Sequence, residues 1–104
     1  MTVQELERRA EVARIVGAAW SVQILHQLST RGASRFLELS HGVGVSKRVL
    51  SVRLEQLARI GLISKNKLPV VPAQSVYTLT VQGANVLQFL GQLDDHVQAN
   101  NRSN

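Results

Sequence analysis

The segment Ser46-Lys47-Arg48-Val49-Leu50-Ser51-Val52-Arg53-Leu54-Glu55-Gln56-Leu57-Ala58-Arg59-Ile60-Gly61-Leu62 reads as a helix with one narrow buried face. Leu50, Leu54 and Leu57 stand at i, i+4 and i+7, the spacing that stacks side chains along one side of an α-helix. The Ser46 hydroxyl suits the cap of the first turn, and Gly61 suits the C′ position that ends a helix. The helix is therefore expected from Lys47 to about Ile60. Stepping about 100° per residue from Leu50 puts Arg48, Ser51, Val52, Glu55 and Arg59 on or near the opposite side. Three leucines on one side require other elements to cover them.

The flanking sequence supplies those elements. Upstream, the turn Gly42-Val43-Gly44-Val45 follows a short helix expected over Arg35 to His41, with Phe36, Leu37 and Leu39 as its apolar residues. Before it, Trp20, Ile24, Leu25 and Leu28 mark a helix that stops near Gly32. The first helix, Val3 to Ile15, repeats apolar residues at three- and four-residue spacing, and Thr2 with Glu5 forms a capping box. Downstream, Leu62–Lys65 and Val76–Leu79 are β-prone. The polar and proline residues between them (Asn66, Lys67, Pro69, Pro72) read as a hairpin tip. A last helix, from about Thr80 to Val97, is expected to bury Val81, Ala84, Leu87, Phe89, Leu90 and Leu93.

The order of four helices, a hairpin and a helix implies a mainly α fold with a small β-hairpin wing, an α+β winged helix-turn-helix. A chain of 104 residues is one domain's worth. The expected division is one domain over residues 1–97 and a frayed polar tail over 98–104. Within the domain, residues 1–16 and 80–97 form dimerisation helices, 18–62 the helix-turn-helix core and 62–80 the wing. Val3, Leu6, Val12, Leu87, Leu90 and Leu93 are the candidate dimer contacts, because the terminal helices carry more apolar residues than so small a core can cover.

Charge points to the partner. The net charge is +5, and it is segregated: residues 31–67 carry eight basic side chains against two acidic ones, while residues 1–30 balance to zero. Such a basic middle third is the footprint expected of a polyanion binder. No apolar run is long enough to span a membrane. The first residues mix Glu5, Glu7 and Glu11 with arginines and do not read as a secretory signal. The absence of cysteine removes disulfides, thiolate metal sites and thiol redox sensing. These features suit the cytoplasm of a prokaryote-like cell. Asp94 and Asp95 are adjacent on a helix and point apart, and no phosphate loop or nucleophile–base set is present, so no enzyme, catalytic residue or cofactor is expected. His26, His41 and His96 lack metal-ligand spacing. His26 has two readings, a helix-surface histidine or part of an effector pocket beneath the terminal helices. No residue set points to a small-molecule effector.

Four linked elements resemble the HxlR-type regulators, winged helix-turn-helix proteins related to the MarR superfamily. Gly17–Leu25 resembles their Gly-x-x-Trp-x-x-x-Ile-Leu, and Arg35–Leu39 their Arg-Phe-x-Glu-Leu. Val45–Leu54 resembles their Ile-Ser-x-x-x-Leu-x-x-Arg-Leu, and Tyr77–Gly83 their Tyr-x-Leu-Thr-x-x-Gly. The resemblance implies a homodimeric transcription regulator on a palindromic operator, with first and last helices at the dimer interface. The chain departs from it in lacking the cysteine some members use as a sensor. It also has Pro72-Ala73-Gln74-Ser75-Val76 where a Pro-Pro-Arg-Val-Glu wing is common, so Gln74 replaces the wing arginine.

In such a fold the N-terminal half of the recognition helix enters the major groove of double-stranded DNA, which assigns base reading to Lys47, Arg48, Ser51 and Val52. Ser46 serves as cap, as phosphate contact, or both. Arg53 lies beside the buried stripe and has two open readings, a structural ion pair with Glu38 or a phosphate contact. Arg35 is expected to meet the DNA backbone, and Lys65 and Lys67 to meet phosphate or the minor groove. Trp20 is expected between the second helix and the sheet, and Tyr77 at the core edge. The rival reading is a winged helix used for protein–protein or RNA binding.

Overall fold

A computed structural model describes residues 1–102 of the chain, side chains through residue 101. Its elements are α1 (Val3–Val16), α2 (Ser21–Arg31), β1 (Ser34–Arg35), α3 (Phe36–Val43), α4 (Lys47–Arg59), β2 (Ile63–Leu68), β3 (Gln74–Leu79) and α5 (Val81–Arg102). The three strands form one antiparallel sheet in the order β1-β3-β2.

Local chemistry accounts for most boundaries. The Thr2 hydroxyl accepts from Glu5 N–H, and the Glu5 carboxylate accepts from Thr2 N–H, closing the expected capping box on α1. Ser46 Oγ accepts from Val49 N–H at 3.3 Å and starts α4. Gly44 and Gly61 adopt positive φ of 78° and 83°, the left-handed conformation that terminates helices without a Cβ clash. The third helix therefore passes through Gly42 to Val43 and is capped by Gly44, two residues later than expected.

The core lies where α2, α3 and α4 meet the sheet. Ile24, Leu25, Leu28, Leu39, Leu50, Leu54 and Leu57 are buried there with Ile15, Leu62, Ile63 and Tyr77. Two buried hydroxyls serve the backbone. Ser21 Oγ donates to the Ile15 carbonyl at 2.7 Å, and Ser40 Oγ donates to the Val45 carbonyl at 3.0 Å, so each closes a corner of the core.

Several expectations are corrected. β1 has no sequence signature of its own: two residues become a strand because Ser34 and Arg35 pair with Tyr77 and Val76. The hairpin strands extend to Leu68 and back to Gln74, so the polar residues Asn66 and Lys67 lie in β2 and not in the tip. α5 continues to Arg102, so residues 98–102 are helical; residues 103 and 104 of the expected tail lie outside the described residues. Only Leu87 and Leu90 of the six residues expected to be buried on α5 are even half-buried; Val81, Ala84, Phe89 and Leu93 are exposed. Trp20, expected between α2 and the sheet, is not buried. It is 38% exposed at the corner between α1 and α2, with a left-handed φ of 77° that is uncommon for a bulky residue.

The start of α5 is latched to the end of α4. Thr80 Oγ1 donates to the Gly61 carbonyl at 2.7 Å and accepts from Gly83 N–H at 3.1 Å. Gly83 is buried against this junction, and a Cβ there would collide with the Leu62 carbonyl and the Leu79 side chain. Gly83→Ala is expected to lower stability by about 1–3 kcal/mol through overpacking. A urea titration at fixed protein concentration checks this, and an unchanged midpoint would refute the close approach.

Candidate nucleic-acid interface

The leucine face of α4 is buried, so its remaining side chains have only the solvent side to occupy. Lys47, Arg48, Ser51, Val52 and Glu55 are all exposed, and Val52 keeps 45% of its surface. Leaving an unpaired valine among cations on a well-anchored helix suits a partner that offers both phosphate and methyl groups. Ser46, also exposed, holds Val49 N–H; its cap role is thus observed.

The wing continues this surface. The β2–β3 register sets Lys65 opposite Tyr77 and Lys67 opposite Ser75. Residues two apart on a strand share a face, so Lys65 and Lys67 lie on the sheet face that also bears Ile63 and Tyr77. Lys65 Nζ stands 5.9 Å from the centroid of the Tyr77 ring, within cation–π range. Ser51, Leu54, Glu55 and Ala58 of α4 and Lys65 and Tyr77 of the wing line one recess of about 260 Å³. The recognition helix and the basic strand are therefore neighbours across a narrow gap. Arg35 belongs to another neighbourhood. It is exposed on β1, where its backbone N–H donates to Glu38 Oε1 at 2.8 Å, and it lines an open recess with Gln74 and Ser75.

Arg53 is half-buried and does not meet Glu38, whose carboxylate is engaged by Arg35 N–H. Its Nε donates to the Ala19 carbonyl at 2.9 Å, and its Nη1 donates to Gln56 Oε1 at 3.2 Å. The structural partner is thus the α1–α2 corner, immediately before the left-handed Trp20. A second contact ties α4 to α1 itself, since Arg59 Nη2 donates to Glu11 Oε1 at 2.8 Å. That pair is exposed and worth well under about 1 kcal/mol by itself. Together the two arginines connect α4 to α1, a helix whose only buried side chain is Ile15, and to the corner that follows it. Neither contact was readable beforehand, because 34 and 48 residues separate the partners.

The terminal helices frame a second surface. Val12 and Val16 of α1 face Val86, Phe89, Leu90 and Leu93 of α5 across an apolar groove of about 450 Å³. Val3 and Leu6 are exposed on α1, and Phe89, at 61% exposure, belongs to this set although helical periodicity assigned it to the core. His26 is exposed and sits in a separate recess with Val22 and Gly42, so it does not lie beneath the terminal helices. Among the described residues no group of histidine and carboxylate side chains is arranged to hold a metal ion, and no helix is long and apolar enough to cross a membrane.

A capped helix presenting Lys47, Arg48, Ser51 and Val52, packed beside a basic β-hairpin, defines a winged helix-turn-helix of the transcription-regulator class. The chain belongs to the HxlR-like helix-turn-helix family, which it matches over residues 15–104. It is 32% identical over 80 residues to YvaP of Bacillus subtilis, an uncharacterised HTH-type transcriptional regulator, covering 76% of this chain and 73% of that one. The diamide-treated form of YodB from B. subtilis superposes with a TM-score of 0.78 at 24% identity, covering 95% and 94% of the two chains. A protein assigned to the MarR family from Enterococcus faecalis superposes with a TM-score of 0.77 at 24% identity, over 99% and 93%. The protein is accordingly a transcriptional regulator and not an enzyme.

Proposed function

We propose that this regulator is a homodimer that binds a palindromic operator in double-stranded DNA in the cytoplasm. The N-terminal half of α4 enters the major groove, where Arg48 and Lys47 address guanine acceptors or phosphate and Val52 packs on thymine methyls. Ser51 supplies a hydroxyl to the same groove. Ser46 and the first N–H groups of α4 approach a phosphate. Lys65, Lys67 and Arg35 meet the backbone or the minor groove edge, adding affinity without sequence information. Arg53 acts through its hold on Ala19, orienting α4, and not as a phosphate ligand.

The observation that carries this reading is the exposed, uniformly non-acidic set Lys47, Arg48, Ser51 and Val52 on a helix whose other face is wholly committed to the core. Its test is an electrophoretic shift with duplex DNA at several salt concentrations. Binding that weakens steeply with salt supports it, and no shift of any duplex at low salt defeats it.

Dimerisation is supported by α5. Its 22 residues span about 33 Å at 1.5 Å per residue, and every residue from 91 to 101 is exposed in the single chain. A second copy covering Val3, Leu6, Val12, Leu87, Leu90 and Leu93, together with Phe89, would bury that surface. A two-fold dimer then sets its recognition helices about 34 Å apart, one DNA turn. Phe89→Asp with Leu93→Asp is expected to convert the dimer to a monomer in light scattering at micromolar concentration. A wild-type chain that is already monomeric there would sink the dimer.

A further inference from the structure

The wing ends in a segment that the basic surface does not explain. From Leu68 to Ala73 no side chain carries a charge, and the sequence is Leu-Pro-Val-Val-Pro-Ala. Val71 is completely exposed and Val70 is 45% exposed, with Pro69, Pro72 and Ala73 exposed around them. A single exposed valine is ordinary, but adjacent apolar side chains at a hairpin tip between two prolines form a stiff, water-facing point. Gln74 does not serve this point as a polar reader, because its Oε1 is buried and unpartnered at the base of β3. Val70 N–H is already spent on the Leu68 carbonyl at 2.9 Å.

We propose that the tip is an apolar wedge that enters the minor groove of DNA and bends the duplex, an inference that rests on the DNA-binding reading above. The tip continues the basic surface: Lys67 stands one residue from Leu68, on the sheet face shared with Lys65 and Tyr77. A hairpin whose lysines lie along a phosphate strand carries its tip into the adjacent groove. The minor groove is about 6 Å wide and walled by sugar C–H groups, and it admits a valine or proline ring. Apolar side chains placed there pry base steps apart and kink the duplex. Binding then depends on how easily the flanking step deforms, with flexible pyrimidine–purine steps favoured, and not on hydrogen bonds to its bases.

The test uses the full chain and a duplex selected from a random pool, end-labelled for energy transfer. The wild-type complex is expected to bring the duplex ends closer than in free DNA. Val70→Ser with Val71→Ser should weaken binding roughly 10-fold and relax the bend, with an unchanged slope of log affinity against log salt, because no phosphate contact is lost. Lys67→Ala should lower that slope by about two units, one for each protomer of the dimer. Val71→Met should keep the bend, showing that apolar character and not residue identity is required. Wild-type and double-serine complexes with equal affinity and equal bend overturn the wedge alone, as does a wild-type complex with straight DNA. A wild-type chain that binds no duplex overturns both this and the parent reading. A double-serine variant with altered oligomeric mass assigns the tip to protein contact and overturns the wedge.

Discussion

Lys47→Ala combined with Arg48→Ala is expected to lower affinity for a selected duplex by about 100-fold or more while leaving the unfolding midpoint nearly unchanged. Both side chains are exposed, so removing them costs the fold little. Each good contact to a guanine edge contributes about 1–3 kcal/mol of discrimination, and a two-fold dimer loses each contact twice. The salt slope should fall by the number of phosphates the pair neutralises. Titrations of wild type and variant at three salt concentrations separate the two roles. Loss of discrimination between selected and random duplex marks base reading, and a uniform loss marks phosphate contact. Unchanged affinity at low salt would remove α4 from the interface.

Leu57→Ala carries the largest expected effect on stability. Leu57 is 0% exposed, within the stripe that holds α4 to the core. Truncating a fully buried leucine removes its transfer free energy and leaves a cavity, together about 2–5 kcal/mol. Against a total of about 5–15 kcal/mol for a small domain, this is a large fraction. At roughly 4–8 °C per kcal/mol, the expected fall in Tm is on the order of 10–20 °C or more. Thermal unfolding must be compared at one protein concentration, because the proposed dimerisation would make the midpoint concentration-dependent. A fall under about 1 kcal/mol would mean that Leu57 does not anchor the helix. The two variants lie on one helix, the first on its exposed N-terminal turn and governing binding, the second on its buried face and governing folding.

That division follows from geometry that short-range chemistry dictates. The exposed Lys47, Arg48, Ser51 and Val52 and the buried Leu50, Leu54 and Leu57 are separated by helical periodicity alone, and the structure places each on its expected side. The caps at Thr2 and Ser46 and the positive-φ Gly61 are likewise local, decided within a few residues. Arg53 shows where this stops. Its position beside the stripe was readable, but the choice of Ala19 over Glu38 depended on where a corner 34 residues earlier comes to rest.

Phe89 and Leu93 make the same point for apolar residues. Periodicity says that they share a face of α5, and cannot say whether that face meets this chain's core or something outside it. The groove with α1 and the exposure of both residues place them at the surface of the single chain. β1 exists only because β3 lies beside it, since two residues carry no alternation to recognise.

By itself, then, the sequence determined the order of the helices, the caps at Thr2, Ser46 and Gly61, the basic middle third and the side of α4 that faces outward. Each of these rests on spacing and short-range hydrogen bonds, which any segment carries within itself. Only the tertiary structure decided the links of Arg53 to the α1–α2 corner and of Arg59 to α1, the exposed Trp20 and Phe89, the third strand and the position of Lys65 over Tyr77. Those depend on contacts between segments far apart in the chain, and their energies exist only once the elements have packed.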